Sequence, residues 1–380
     1  MKKIMRIAID VRPAIQNAAG IGRYTRNLLK ALSSMDKVNS YTLLSEPFSS
    51  LPMPLGANFH YHQLYKKGIS WHMQAMREIV KENVDLYFSP SSLLVPSFAS
   101  SPTAVMIHDL SALKFPHFHQ RKTRVMERLL MKRALQRSKL LLTPAESTRE
   151  ELISGFGLEP DKVVVIPHGV ESSFHPRPVN EWSGFSSDLV KEHSEVSMLK
   201  RGDYFLFVGT LEPRKNLTAL LRGFHEYRSK GGKKKLVIVG KKGWFFAPIF
   251  RLYHALKLQD DVLFLHHISS EHLCGFYAFA FAFLYPSYYE GFGLPLLEAM
   301  ASGCPVVSSN TSSMPEVVGA AGLLVDPLSS DELCSAMFKL EGSPALYERF
   351  RKEVVLRAST FTWEKTAEKT LEAFRKVVGN

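Results

Sequence analysis

Short apolar runs of strand length alternate with longer amphipathic stretches along the whole chain. In the first half the runs are MRIAID (5–10), YTLL (41–44), VDLYFS (84–89), TAVMIHDL (103–110), KLLLTP (139–144) and VVVIPHG (163–169). In the second half they are YFLFVG (204–209), KLVIVG (235–240), VLFLHHIS (262–269), FAFLY (281–285) and a shorter run within CPVVSS (304–309). Between the runs, apolar residues recur at helical spacing: Tyr24, Leu28, Leu29 and Leu32 form one stripe, and Leu217, Leu220, Leu221 and Phe224 another. The final stretch FTWEKTAEKTLEAFRKVV (361–378) reads as an amphipathic helix. Strands alternating with helices predict an α/β protein of parallel, doubly wound sheets, whose ligands bind beyond the strands' carboxyl ends.

At 380 residues the chain exceeds what one hydrophobic core usually supports, so two domains are expected. The alternation breaks between 176 and 203, where prolines, the serine-rich SGFSSD and mixed charge intervene, with a short helix available to 189–199. This places a first domain at 1–175, a linker at 176–203, a second domain at 204–360 and a closing helix at 361–380. A composition of 45% hydrophobic and 22% charged residues belongs to a globular protein and excludes a fibre or a disordered chain. Cys274, Cys304 and Cys334 are widely spaced without a C-x-x-C pair, which argues against a disulfide framework and a zinc site. The opening MKKIMRIAID reaches Asp10 and Arg12 too soon for a signal peptide, and no apolar run approaches the ~20 residues that cross a bilayer. A cytoplasmic location is therefore expected.

The net charge of +12 calls for an acidic partner: nucleic acid, anionic lipid or a phosphorylated substrate. RKTRVMERLLMKRALQRSK, from Arg121 to Lys139, sets eight cations against Glu127 alone, with Val125, Met126, Leu129, Leu130, Ala134 and Leu135 on one side. It reads either as a core-facing helix with a solvated basic face or as a docking surface for anionic membrane. No recognition module accompanies the charge, so nucleic acid is not an expected partner. Lys233, Lys234, Lys235, Lys241 and Lys242 near Trp244, Phe245 and Phe246 read either as a second membrane-facing patch or as a loop over the core, the latter being the expectation.

Candidate chemistry concentrates in FAFLYPSYYEGFGLPLLEAMASG (281–303). Pro286 and Ser287 stop the strand, Pro295 suits the first position of a helix, and Gly303 suits its C-terminal cap. Glu290 then lies on the loop and Glu298 in the helix's first turn or just beyond, so both carboxylates can face one crevice. In GTLEPRKNL (209–217), Asn216 is the expected N-cap, and Arg214 and Lys215 stand at a helix amino end, where the dipole disfavours cations. An anionic ligand or Glu212 resolves that conflict. Gly20 and Gly22 fall between the first strand and its helix, where phosphate meets free amides, although a tight turn explains them equally. His108 and Asp109 end another strand; by residue type alone a histidine there is more often structural than catalytic.

Glu290 and Glu298, eight positions apart around Gly-Phe-Gly-Leu-Pro, resemble the Glu-x7-Glu signature of retaining, nucleotide-sugar-dependent glycosyltransferases of family GT4, and GTLEPRKNL resembles that family's diphosphate-binding loop. The resemblance covers nearly the whole chain, most weakly at 176–203. It implies the GT-B fold: two Rossmann-like domains facing across a cleft, with the last helix crossing back to the first. By the same resemblance Glu290 reaches the donor sugar, Glu298 grips the ribose, and backbone at Gly291, Phe292, Gly293 and Leu294 lies against the sugar. Arg214 and Lys215 take the diphosphate, Gly22 approaches the donor phosphates, and His108 meets the donor sugar. His266 and His267 stand where the family often has glycine near the base, which leaves the base open.

GIGRYTRNLLKAL (20–32) together with GTLEPRKNL most resembles bacterial mannosyltransferases of O-antigen or exopolysaccharide synthesis. The resemblance thus implies GDP-mannose as donor, a glycan or lipid-linked glycan as acceptor and no separate cofactor; the membrane-docking reading of Arg121 to Lys139 would place such an enzyme on the inner membrane face. No D-x-D occurs, so no metal is expected at the diphosphate. The rival readings are a nucleotide-sugar epimerase on the same fold and a non-catalytic sugar-nucleotide or glycan-binding protein.

Overall fold

The computed structural model describes residues 4–16, 19–48, 53–115, 130–266 and 268–379. They form two compact units, Met1–Gly169 with Phe361–Asn380 and Val170–Thr360. The chain passes between units at 169/170 and 360/361, so the final helix belongs to the first unit, as expected of the GT-B connection.

The first unit holds a parallel sheet of β1 (Arg6–Asp10), β2 (Ser40–Ser45), β3 (Phe59–Gln63), β4 (Leu86–Ser89), β5 (Thr103–Met106), β6 (Leu140–Thr143) and β7 (Val163–Val165), in the order β3-β2-β1-β4-β5-β6-β7. Tyr24, Leu28, Leu29 and Leu32 of helix Ala19–Met35 share a core with Ile7 and Ile9 of β1 and with Trp363, Ala367, Leu371 and Phe374 of helix Trp363–Val378. The opposite face is covered by Trp71, Ala75 and Ile79 of helix Ile69–Lys81, packed with Ala8 and Tyr87. Strand β3, FHYHQ, escapes the apolar-run criterion because it lies at the sheet edge and needs little burial.

The second unit holds β8 (Tyr204–Val208), β9 (Lys235–Val239), β10 (Val262–Leu265), β11 (Ala282–Tyr285), β12 (Val306–Ser309) and β13 (Leu323–Val325), parallel and ordered β10-β9-β8-β11-β12-β13. Central β8 and β11 are buried at every residue, which is why they read as unbroken apolar runs. Each sheet reverses its strand order once, between β1 and β4 and between β8 and β11, and loops leaving such a pair diverge to open a crevice at the carboxyl edge.

The stretch 176–203, expected as a linker, is folded into the second unit. Phe185 and Leu189 of helix Trp182–Glu192 are buried, and the Phe185 ring lies against Phe276 and Phe279 and over Gly275. A Cβ on Gly275 would stand 2.2 Å from that ring. Trp182, Phe185 and Leu189 do carry helical spacing, which the intervening serines hide.

Gly169, where the chain leaves the first unit, is fixed against the closing helix: a Cβ there would stand 2.2 Å from the Trp363 backbone nitrogen. Thr362 caps that helix by accepting from the Lys365 N–H, and Thr366 Oγ1 donates to the Pro167 carbonyl at 2.8 Å. Gly169→Ala should therefore lower the unfolding free energy in urea by about 1 to 3 kcal/mol. Gly184→Ala, inside helix Trp182–Glu192 with nothing within 4 Å of the added methyl, should hold or raise it. Equal losses at both positions would contradict this packing.

Candidate active site

The reversal between β8 and β11 brings two loops together, 209–216 and 286–293. Pro213–Lys215 form one 3-10 turn, after which Asn216 takes a left-handed conformation at φ 57°. Asn216 does not cap the next helix with its side chain, contrary to expectation. Its Nδ2 donates to the carbonyls of Pro286 at 3.0 Å and Pro327 at 2.7 Å, which pins its own loop to those after β11 and β13. The Tyr288 N–H donates to the Arg214 carbonyl at 2.9 Å, and Arg214 Nη1 donates to the Tyr289 carbonyl at 2.7 Å.

The loop after β12 braces the other side. Ser309 Oγ donates to the Ser287 carbonyl at 2.7 Å, Thr311 Oγ1 to that of Tyr288 at 3.2 Å, and Ser313 Oγ to that of Glu290 at 2.9 Å. Ser312 accepts from the Glu290 N–H at 3.3 Å. The backbone of Glu290 is thereby held from both directions.

Four charged side chains meet inside this frame. Glu290 Oε1 accepts from Lys215 Nζ at 2.7 Å, and Glu290 Oε2 from Arg214 Nη1 at 2.8 Å. Glu212 Oε1 accepts from Arg214 Nη2 at 2.8 Å, and Lys215 Nζ also donates to the Tyr285 hydroxyl at 2.7 Å. Glu290, Glu212 and Lys215 are all buried. Two cations face two carboxylates, so Glu212 and Glu290 together offset the positive charge that the helix dipole disfavours at Arg214 and Lys215.

Burial pushes the Glu290 carboxyl upward, but Arg214 and Lys215 outweigh it and hold that carboxyl at about 2. For Glu212 burial prevails over the attraction of Arg214 and raises the carboxyl above its ordinary value. Burial likewise lowers the Lys215 ammonium, against the pull of Glu290. The Tyr285 phenol is pushed well up by burial, with Glu290 adding to it.

Glu298 has a different partner. It is buried in helix Leu294–Ala301, and its Oε2 accepts from the Tyr277 hydroxyl at 3.0 Å. Gly293 precedes that helix at φ 94°, a conformation that favours glycine, so the helix opens on Leu294 with Pro295 second, one residue earlier than expected. Gly291, buried Phe292 and Gly293 thus connect the two carboxylates, and Gly303 ends the segment at φ 73° as expected.

In the first unit, His108 follows β5, and its Nε2 donates to the carbonyl of Pro90, just beyond β4, at 2.8 Å. Burial lowers its imidazolium, so the ring is neutral with Nδ1 as its acceptor. Tyr24 packs edge-on to that ring at 4.9 Å. Gly20 and Gly22 lie in the opening turns of helix Ala19–Met35 and not in a loop before it. Asp109 steadies its loop, accepting from the Ser111 N–H at 2.9 Å and from the Ser111 hydroxyl. Arg12 is bound to Asp10 at 2.6 Å and stacks on Trp71.

At the end of β10, His266 Nδ1 and the Gly240 carbonyl are 2.6 Å apart; His267 lies outside the described residues. So do residues 121–129 of the basic stretch, while 130–137 are helical with Met131, Ala134 and Leu135 buried. Tyr285, Ser312 and Ser313 were not expected at the site. Tyr285 reads as the last residue of a buried strand, and only the NTSSMPE turn hints at the two serines.

Residues 18–174 match the model of glycosyltransferase family 4, and residues 191–357 that of glycosyl transferases group 1. The chain is 27% identical to O-antigen chain mannosyltransferase B of Escherichia coli, over 98% of the chain and 100% of that protein. Sucrose-phosphate synthase from Thermosynechococcus elongatus superposes at a TM-score of 0.78 and 20% identity, covering 99% of each chain. HepE of Anabaena, solved with UDP-glucose, does so at 0.76 and 15%, covering 98% of this chain and 100% of its own. With both halves matched and two parallel-sheet domains of the GT-B architecture beneath them, the chain belongs to the family 4 glycosyltransferases.

Proposed function

We propose that the protein transfers a hexose, mannose foremost, from a nucleotide-diphosphate sugar to a glycan or lipid-linked glycan, with retention at the anomeric carbon, during cell-surface polysaccharide synthesis. The observation that carries this reading is the buried Arg214–Lys215–Glu290–Glu212 cluster at the β8/β11 reversal. The guanidinium fork and the compact ammonium suit a diphosphate as well as they suit a carboxylate. An arriving diphosphate takes the place of Glu290 on the two cations, exchanging one anion for another. Glu290, released, then accepts hydrogen bonds from the sugar hydroxyls.

In this scheme the acceptor oxygen bonds to the anomeric carbon as the bond to the diphosphate breaks on the same face. The acceptor's proton passes to the departing phosphate oxygen, and Arg214 and Lys215 carry the charge that develops there. Glu298 holds the ribose, the backbone at 291–294 lies along the sugar, Gly22 serves the phosphates, and His108 Nδ1 accepts from a sugar hydroxyl. The two cations replace a divalent metal. Mannose is favoured by the mannosyltransferase relative, and a nucleotide-sugar donor by the UDP-glucose held in HepE; GDP rests on the sequence resemblance alone.

A panel of GDP, UDP, ADP and dTDP sugars, read first by thermal shift and then by product analysis with glycan acceptors, tests the reading. Stabilisation by GDP-mannose and transfer that survives EDTA are expected; conversion of donor without acceptor, or binding without any product, would contradict it. Arg214→Ala and Lys215→Ala should each lower kcat by roughly 100-fold or more, and undiminished turnover in both would remove the cluster from the mechanism.

The cluster also sets an acid limit. The Glu290 carboxyl at about 2 lies below its ordinary 4.5, so the stability it contributes is complete above about pH 4.5 and is lost as pH falls toward 2. In Glu290→Gln that part of the acid decline should disappear. At neutral pH this variant should be about 3 kcal/mol less stable, because buried Lys215 loses its carboxylate partner and part-buried Arg214 is left with Glu212 alone. Superimposable pH–stability curves would refute the ion pairing.

A further inference from the structure

Backbone strain marks a loop that the charged cluster does not use. Among the described residues, five other than glycine take a positive φ: Asn83, Asn216, Phe245, Lys257 and Ser312. Asn83 and Lys257 follow the ends of helices Ile69–Lys81 and Ala247–Ala255, where a left-handed residue is an ordinary stop. Asn216 and Ser312 belong to the site, the first joining three loops and the second accepting from the Glu290 N–H. Phe245, at φ 54°, is in neither group, and a bulky side chain is poorly suited to that conformation.

The loop that carries Phe245 belongs to the same carboxyl edge as the cluster. Residues 240–246 leave β9 beside residues 209–212, which leave β8 toward Glu212. The Leu211 N–H donates to the Lys241 carbonyl at 2.9 Å, and the Gly243 N–H donates to the Leu211 carbonyl at 3.1 Å. Gly240 and Gly243 permit this approach: a Cβ would stand 1.9 Å from the Gly209 carbonyl oxygen at the first and 2.6 Å from Thr210 Cγ2 at the second. Two backbone bonds thus tie the Phe245 loop to the loop of Glu212 and Arg214.

The other rings of this loop face the body of the second unit. The Phe250 ring lies 4.8 Å from that of Phe264 in β10, Phe246 meets Phe250 edge-on at 5.9 Å, and Lys242 Nζ stands 5.0 Å from the Phe250 ring centroid. Phe245 is 60% exposed, and its ring has no aromatic or cationic neighbour among the described residues. Lys241, also exposed, adds a charge close by in the chain. The loop therefore covers the core with Phe246 and Phe250, as expected, and presents Phe245 to solvent at a strained angle that burial does not repay.

We propose that Phe245 is a specificity-determining residue, a platform on which the heteroaromatic base of a nucleoside diphosphate stacks. The neighbours select that ligand class. A flat apolar ring takes a planar partner, while Lys241 on this loop and Arg214 and Lys215 on the adjoining one take negative charge. A nucleoside diphosphate joins both parts; a free sugar lacks the charge, and inorganic diphosphate lacks the plane. Holding the backbone at 245 in one conformation places the ring before the ligand arrives, so less freedom is lost on binding. Stacking responds to ring area, so the two-ring base of GDP gains more from it than the one-ring base of UDP. The inference deepens the transferase reading of this crevice and rests on it.

The test is calorimetric titration of the full chain with GDP and with UDP, alongside Phe245→Ala, Phe245→Gly and Phe245→Tyr. The unaltered chain should bind GDP more tightly than UDP. The Ala and Gly variants should weaken GDP binding by roughly tenfold and UDP binding by less, while the Tyr variant keeps both affinities. Phe245→Gly should unfold no earlier than Phe245→Ala, because glycine takes φ 54° without strain, so its lost affinity is not lost folding. Inorganic diphosphate should bind all four proteins alike. Unchanged GDP affinity in Phe245→Ala, equal fold losses for the two nucleotides, or earlier unfolding of the Gly variant would each overturn the proposal. GDP bound equally by all four proteins would refute the role of Phe245 and leave the transferase reading standing; no nucleotide bound by the unaltered chain would refute both.

Discussion

A carboxylate buried between two cations governs the second unit. Taking Glu290, Arg214 and Lys215 out of water costs several kcal/mol per ion, which the pairing offsets only if the geometry is held closely. The surrounding bonds serve that end: Asn216 joins three loops, Tyr288 meets the Arg214 carbonyl, and Ser312 and Ser313 fix the Glu290 backbone. The same rigidity would present two cations at fixed spacing to any anion that displaces the carboxylate. Stability and chemistry therefore make the same demand on these residues.

Sheet topology explains where this happens. Both units reverse strand order once, and each reversal gathers polar groups at a carboxyl edge. In the second unit the reversal holds charged groups compensated by one another. The first unit carries a neutral histidine there, bridging the ends of β5 and β4 and backed by Tyr24. A neutral imidazole suits hydrogen bonding to a sugar hydroxyl better than it suits a phosphate.

Central strands were legible because burial on both faces forces unbroken apolar runs, as in YFLFV and AFLY. Edge strand β3 escaped that reasoning because FHYHQ is mostly polar, and β13 because its apolar run, LLV, is only three residues long. The helix at 182–192 was hidden by serines, although Phe185 fills the space that Gly275 leaves. At the site, the residue types and spacing of Arg214, Lys215, Glu290 and Glu298 could be read directly. The pairing of Glu290 with both cations could not, because it joins loops 75 residues apart in the chain. Asn216 shows the same limit: local rules make it a cap, while tertiary partners claim its side chain.

The claim on which the functional account turns is that a nucleotide diphosphate replaces Glu290 on Arg214 and Lys215. The most direct measurement is a carbon-13 NMR titration of the Glu290 carboxyl, assigned against Glu290→Gln, with and without saturating nucleoside diphosphate. The account predicts a carboxyl near pH 2 in the free protein that moves up toward the ordinary carboxylate range when the diphosphate binds. A carboxyl that stays at about 2 with the diphosphate bound would contradict it.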